Sequence, residues 1–237
     1  DITSIIPTYT VGEGAEAEEV SWIPRNLMAN SPNAEQQDAI VVCDMGLMFI
    51  TITNNVASLA SSLLWTDCGI VSPDISAAAY SYSFEEMISG GGQSSLRILA
   101  LDKTAKKLYR LVPGESSTTK EKTLDIAALA GAASPSGVAY DLGDSGYWLS
   151  FSDGKLAKAT INWTLATPSY AVASGASQTI ASLVSVSSAI KNAAFETTLT
   201  IQDRNESPIV ERVYQASGNM LGVTSALIDV INAGGVY

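Results

Sequence analysis

From Ala39 onward the chain repeats one pattern: short runs of aliphatic, β-branched and aromatic residues, separated by Gly, Asp, Asn and Ser. Such runs, bounded by turn residues, predict many short strands. The clearest pair lies within Tyr147 to Ile161, where Trp148-Leu-Ser-Phe151 and Lys155-Leu-Ala-Lys-Ala-Thr-Ile161 flank Asp153-Gly154. That dipeptide accepts the positive φ angles of a tight type I′ turn, so the segment predicts a β-hairpin.

Set against the rest of the chain, this hairpin exposes an internal period of roughly 50 residues, in the range of repeat architectures. Four segments align: Phe49-Ile-Thr-Ile-Thr-Asn-Asn to Leu64-Trp65, Ile98-Leu-Ala-Leu-Asp102 to Leu108-Tyr-Arg-Leu111, Trp148 to Ile161, and Leu199-Thr-Ile-Gln-Asp203 to Ile209-Val-Glu-Arg-Val-Tyr214. Each reads strand, polar turn, strand. Apolar runs precede three of them, at Ile40 to Cys43, Ala77 to Tyr80 and Gly137 to Tyr140. The expected unit therefore has three or four strands.

The stretch Pro135-Ser-Gly-Val-Ala-Tyr-Asp141, followed by Gly146-Tyr-Trp-Leu-Ser-Phe-Ser-Asp-Gly-Lys-Leu156, resembles one blade of a β-propeller. The resemblance implies a ring of such units. A β-sandwich whose hairpins recur because hairpins share turn chemistry is the alternative, and the residues leave both open.

Three segments depart from the strand pattern. Val56, Leu59, Ala60, Leu63 and Leu64 follow helical spacing. Thr224 to Asn232 has a capping hydroxyl in front and Gly234-Gly235 behind, which predicts a short helix, and Leu124 to Ala130, stopped by Gly131, predicts another. The class is mainly β with two or three short helices. Residues 1–38 carry Pro7, Pro24, Pro32 and an acidic cluster without period and predict an extended N-terminal arm. The expected organisation is thus an arm (1–38), a β-rich body (39–221) and a short C-terminal helix with a tail (222–237). Opening at Asp1, without an initiator Met or a signal peptide, the chain is expected to be a processed product or a fragment.

Charge sharpens the picture. The net charge is −11, which repels phosphate backbones and anionic surfaces, so nucleic acid is not an expected partner. No apolar run approaches the roughly 20 residues of a spanning helix, so membrane insertion is not expected. The charge is also uneven. Asp1, Glu13, Glu16, Glu18, Glu19, Glu35, Asp38 and Asp44 face the single cation Arg25 in the first 50 residues, whereas Arg97, Lys103, Lys106, Lys107, Arg110, Lys120 and Lys122 crowd one later stretch.

The chain contains no histidine, which removes Ser-His-Asp and Cys-His machinery and the commonest metal ligand. Its two cysteines, Cys43 and Cys68, are not spaced as a redox pair; a disulfide between them and two reduced thiols are both open. Gly90-Gly-Gly92-Gln-Ser-Ser95 lacks the Lys of a phosphate loop. The acid pairs Glu85-Glu86, Asp141 with Asp144, and Asp203 with Glu206 are candidates for glycoside chemistry, and the Asp141–Asp144 turn for Ca²⁺; turn chemistry accounts for the latter more simply. Asn162-Trp-Thr164 fits a glycosylation acceptor. Trp65, Tyr109, Trp148, Trp163, Tyr170 and Tyr214 are candidates for a sugar-stacking platform.

These features exclude the commonest enzymes and imply no cofactor. The expected function is that of a non-enzymatic structural or assembly protein, extracellular or in a virion: a phage tail or capsid accessory, or a filament subunit. Self-association is expected through docking of the acidic arm (Glu13, Glu16, Glu18, Glu19) on an exposed cationic rim (Lys103, Lys106, Lys107, Arg110). The alternative is a secreted propeller-type module that binds carbohydrate.

Overall fold

The structure is a computed structural model, and it describes residues 3–11, 17–30, 36–54, 56–71, 73–82, 96–112, 118–141, 146–179, 183–191, 194–203 and 210–216. After a single 3-10 turn, Thr3–Ile5, the described chain is mainly β. A two-stranded hairpin pairs β1 (Thr8–Val11) with β2 (Glu18–Ser21). Four antiparallel sheets follow, each laid down in chain order. The first contains β3 (Pro24–Asn30), β4 (Gln36–Cys43), β5 (Gly46–Thr53) and β6 (Val56–Leu64). The second contains β7 (Ile75–Tyr82), β8 (Leu96–Asp102), β9 (Lys107–Val112) and β10 (Thr119–Asp125). The third contains β11 (Pro135–Asp141), β12 (Gly146–Phe151), β13 (Lys155–Asn162) and β14 (Ser169–Thr179). The fourth contains β15 (Leu183–Lys191), β16 (Ala194–Asp203) and β17 (Val210–Ala216).

The first strands of the four sheets touch in cyclic order: β3 meets β7, β7 meets β11, β11 meets β15, and β15 meets β3. They begin at Pro24, Ile75, Pro135 and Leu183, which gives spacings of 51, 60 and 48 residues.

Strand alternation explains how these sheets bury both faces. In β4 and β5, Ile40, Val42, Leu47 and Phe49 enter the main core, which continues through Ile98, Leu101, Val138, Leu149 and Phe151 of the next two sheets. Their neighbours Ala39, Val41, Cys43, Met48 and Ile50 point the other way into a second cluster, closed by Trp22 and packed by Ile5, Ile6 and Tyr9. Successive residues of one strand thus serve two cores, and the sequence there reads as an unbroken apolar run.

Several expectations are corrected. Residues 24–30, expected within an arm, form β3 and pair with β4, so the boundary at 38 falls inside a strand. Pro24 is tolerated because it is the first residue of that strand. The first repeat is consequently out of phase by one strand: β4–β5, not β5–β6, matches β8–β9, β12–β13 and β16–β17. The helical spacing over Val56 to Leu64 is overturned as well. That segment is β6, antiparallel to β5, and Ala60 is the extra residue of a bulge where Phe49 pairs Ser61 and Ile50 pairs Leu59. The bulge breaks the period of two and leaves a spacing that imitates a helix. Nor is the Asp153-Gly154 turn of type I′. Only Gly154 has a positive φ, +85°, and its N–H donates to the Phe151 carbonyl at 3.0 Å, which is the three-residue loop with a left-handed glycine.

Of the expected helices, a single turn, α1 (Ala127–Ala130), forms and ends at Gly131. The segment 224–232 lies outside the described residues.

Candidate functional site

The β8–β9 connection begins at Asp102, a buried carboxylate that accepts the Ala105 N–H at 2.7 Å and the Asp74 N–H at 3.3 Å. Lys103 pairs with Asp74 at 3.3 Å, and Thr104 Oγ1 donates to the other Asp74 oxygen at 2.6 Å. Lys106, at φ +52°, donates from Nζ to the Gly131 carbonyl, while its own carbonyl accepts the Ile126 N–H at 2.9 Å. Lys155 Nζ reaches the Leu129 carbonyl at 2.7 Å. Two lysines therefore close the carbonyl end of α1, where cations are favoured. Of the expected rim, Lys103 and Lys106 are tied into these turn contacts, and Lys107 is half-buried.

Arg110 does not join them at all. It lies three residues further along β9 and is buried, as is Arg97 on β8. The β9–β10 register shifts between Lys120 and Lys122, which leaves Glu121 as the extra residue. A bulge re-aims a side chain, and here Glu121 Oε2 stands 3.0 Å from Arg97 Nε and 3.3 Å from Arg110 Nε. The first contact is a hydrogen bond; the second is an ion contact whose angle makes none. The Arg110 guanidinium also lies 5.5 Å from the centre of the Trp163 ring. Trp163 Nε1 donates to the Tyr147 hydroxyl at 2.9 Å, and Tyr147 packs against Tyr140 with ring centres 5.1 Å apart. This stack joins the second sheet to the third.

Flanking the bulge, exposed Lys120 and half-buried Lys122 meet carbonyls of different connections. The Lys120 N–H donates to the Cys68 carbonyl at 3.1 Å, and its Nζ to the Gly69 carbonyl. Lys122 Nζ donates to the Leu165 carbonyl at 3.2 Å. Beside these anchor points Val71 is 82% exposed and Leu165 46% exposed. Neither lysine has a carboxylate partner among the described residues.

Of the acidic residues singled out, Glu18 and Glu19 are exposed on β2. Glu13 and Glu16 lie outside the described residues. The hairpin that carries Glu18 and Glu19 is fastened to the first sheet by apolar contacts of Ile5, Ile6, Tyr9 and Trp22. The aromatic platform is not assembled: Trp65, Tyr109, Trp148 and Trp163 are buried, Tyr170 packs against the core edge, and Tyr214 has no described side chain. Trp65 Nε1 donates to the Cys43 carbonyl at 3.0 Å.

Cys43 and Cys68 are free and buried in different clusters. Burial, with Asp44 beside the first and Asp67 beside the second, pushes their thiols up to about 12 and about 11. Both are protonated at neutral pH, so neither is a ready nucleophile. Among the described residues no three His, Cys, Asp or Glu side chains group as metal ligands, and no helix is long and apolar enough to cross a membrane. The Gly90–Ser95 loop, Glu85, Glu86, Asp144 and Glu206 lie outside the described residues. Asn162 is exposed, and its Oδ1 accepts the Thr164 hydroxyl at 2.7 Å in a local turn.

No protein-family model matches this chain, and no curated protein matches it.

Glu121 belongs to none of the candidate sites legible in the sequence. In Lys-Glu-Lys it reads as a solvated edge, and only the bulge turns it inward.

Proposed function

We propose that this chain is a β-propeller-type scaffold acting as a non-enzymatic structural and assembly component of a virion, such as a phage tail or capsid accessory, or of an extracellular filament. The cyclic contacts of β3, β7, β11 and β15 support a propeller, in which meander sheets repeat radially around an axis. A sandwich instead stacks two sheets face to face.

The observation that carries the assembly role is the separation of surface charge. Glu18 and Glu19 are exposed on the N-terminal hairpin, and Lys120 and Lys122 lie on the outer strand of the second sheet. None of the four forms a salt bridge among the described residues. One acidic chain thereby carries two complementary surfaces, and such surfaces steer and register association. The mass of the native particle tests this: an ordered oligomer of the full chain is expected, and a monomer at every concentration and ionic strength rejects it.

Carbohydrate binding is the alternative, and burial of four of the six candidate rings removes most of its support. A glycan array separates the two, since a saccharide signal displaced by free sugar favours the binding module.

A further inference from the structure

We propose that the outer strand of the second sheet, at Lys120 and Lys122 between Val71 and Leu165, receives the Glu18–Glu19 edge of the N-terminal hairpin of a second copy, so that copies join head to tail. This rests on the assembly role proposed above and names its junction.

Several cations among the described residues are committed to local contacts. Lys103 is neutralised by Asp74, and Arg97 and Arg110 share Glu121. Lys106 and Lys155 are spent on the carbonyls of α1 and its cap. Lys120 and Lys122 sit together on an edge strand, and their ammonium groups, like those of Lys106 and Lys155, donate to neutral carbonyls, here those of the connections on either side. The carbonyl contacts fix where the two ammonium groups stand. Val71 and Leu165 give the same place exposed apolar area.

The occupant follows from charge and geometry. A chain of net charge −11 repels most acidic partners at long range, so docking needs a local acidic element presented in a fixed form. The hairpin is such an element. Tyr9 and Val20 are cross-strand partners, and Tyr9 packs into the second cluster, so Thr8, Thr10, Glu19 and Ser21 lie on the opposite, exposed face. Glu18, paired with Val11, belongs to the other face and is exposed where the strand begins, so the two carboxylates straddle the hairpin edge. The two patches differ in sign and in place along the chain, so the proposed contact joins unlike surfaces; repeated head to tail, it closes into a ring or extends as a filament.

The test uses the full chain in sedimentation at about 50 mM and about 500 mM salt, conditions that change the screening length severalfold. Two charge-reversed proteins are compared with the parent, one carrying Lys120→Glu with Lys122→Glu and the other Glu18→Lys with Glu19→Lys. Each alone is expected to self-associate about tenfold or more weakly than the parent. Mixed in equal amounts they are expected to assemble again, because every junction then pairs opposite charges. A third variant, Lys120→Gln with Lys122→Gln, introduces no repulsion and is expected to weaken assembly and flatten its salt dependence. If the parent assembles and all variants assemble like it, the junction is wrong and the assembly role stands on another surface. If reversed proteins fail alone and the mixture also fails, a different acidic partner or a fold defect explains the loss, and the head-to-tail contact is rejected. A parent that never assembles rejects both proposals.

Discussion

Arg97 Nε and Glu121 Oε2 stand 3.0 Å apart, and Arg97 is 3% exposed while Glu121 is 31% exposed. A second guanidinium, that of Arg110, reaches the same oxygen at 3.3 Å. One partly solvated carboxylate thus serves two buried cations. Removing the shared partner of a buried pair leaves uncompensated charge inside the protein. Glu121→Gln is therefore expected to lower stability by about 3 kcal/mol, the low end for a buried pair because Glu121 meets solvent. Urea denaturation checks this, and a change under about 0.5 kcal/mol would assign the cluster no structural weight.

Trp22 is the largest side chain joining the N-terminal hairpin to the first sheet, and it is 5% exposed. Trp22→Ala is expected to cost about 3–5 kcal/mol and to open the second cluster. Limited proteolysis should then cut within residues 1–21 before it cuts the sheets. Equal protection in parent and variant would mean that other contacts hold the hairpin.

Gly46 pairs with Leu64, and a Cβ at Gly46 would meet the Leu63 carbonyl oxygen at 1.9 Å. Backbone cannot yield as a flexible side chain can, so Gly46→Ala should separate β5 from β6 locally. The expected loss is about 1–3 kcal/mol or more. Gly131, where an added Cβ meets nothing within 4 Å, is the comparison: at φ +60° and ψ −126°, Gly131→Ala is strained by backbone conformation alone, about 1–3 kcal/mol.

How far the sequence discloses these features depends on what each residue answers to. The β8–β9, β12–β13 and β16–β17 hairpins are legible because turn residues and apolar runs agree locally. β3 is not, since Pro24, Arg25, Asn26 and Asn30 carry no strand signal and its pairing with β4 supplies the structure. β6 misleads because one bulge at Ala60 resets its period. The cationic stretch is legible as charge but not as surface. Arg110 and Lys107 lie on one short strand, yet Arg110 is buried, and a residue eleven positions away, Glu121, is turned toward it. A sequence shows the charges, and only the register shows which of them meet.

The buried thiols make stability fall at alkaline pH. Cys43 is raised from 9.0 to about 12 and Cys68 from 9.0 to about 11, both chiefly by burial. A group whose folded value lies above its unfolded value keeps its full contribution below the unfolded value and loses it as pH rises. Below pH 9.0 both states hold these protons, and the thiols add no slope. Between pH 9.0 and about 11 the unfolded chain releases protons that the folded chain retains, so unfolding becomes easier by about 1.4 kcal/mol per pH unit for each thiol. Tyr109, also raised from 10.0 by burial and by Asp102, acts in the same direction above pH 10.0. Urea denaturation across this window should show the decline in the parent. Cys43→Ala and Cys68→Ala should each reduce the slope, whatever they do to stability at neutral pH. An identical slope in parent and variants would mean that the thiols ionise in the folded chain, and hence that burial does not hold them protonated.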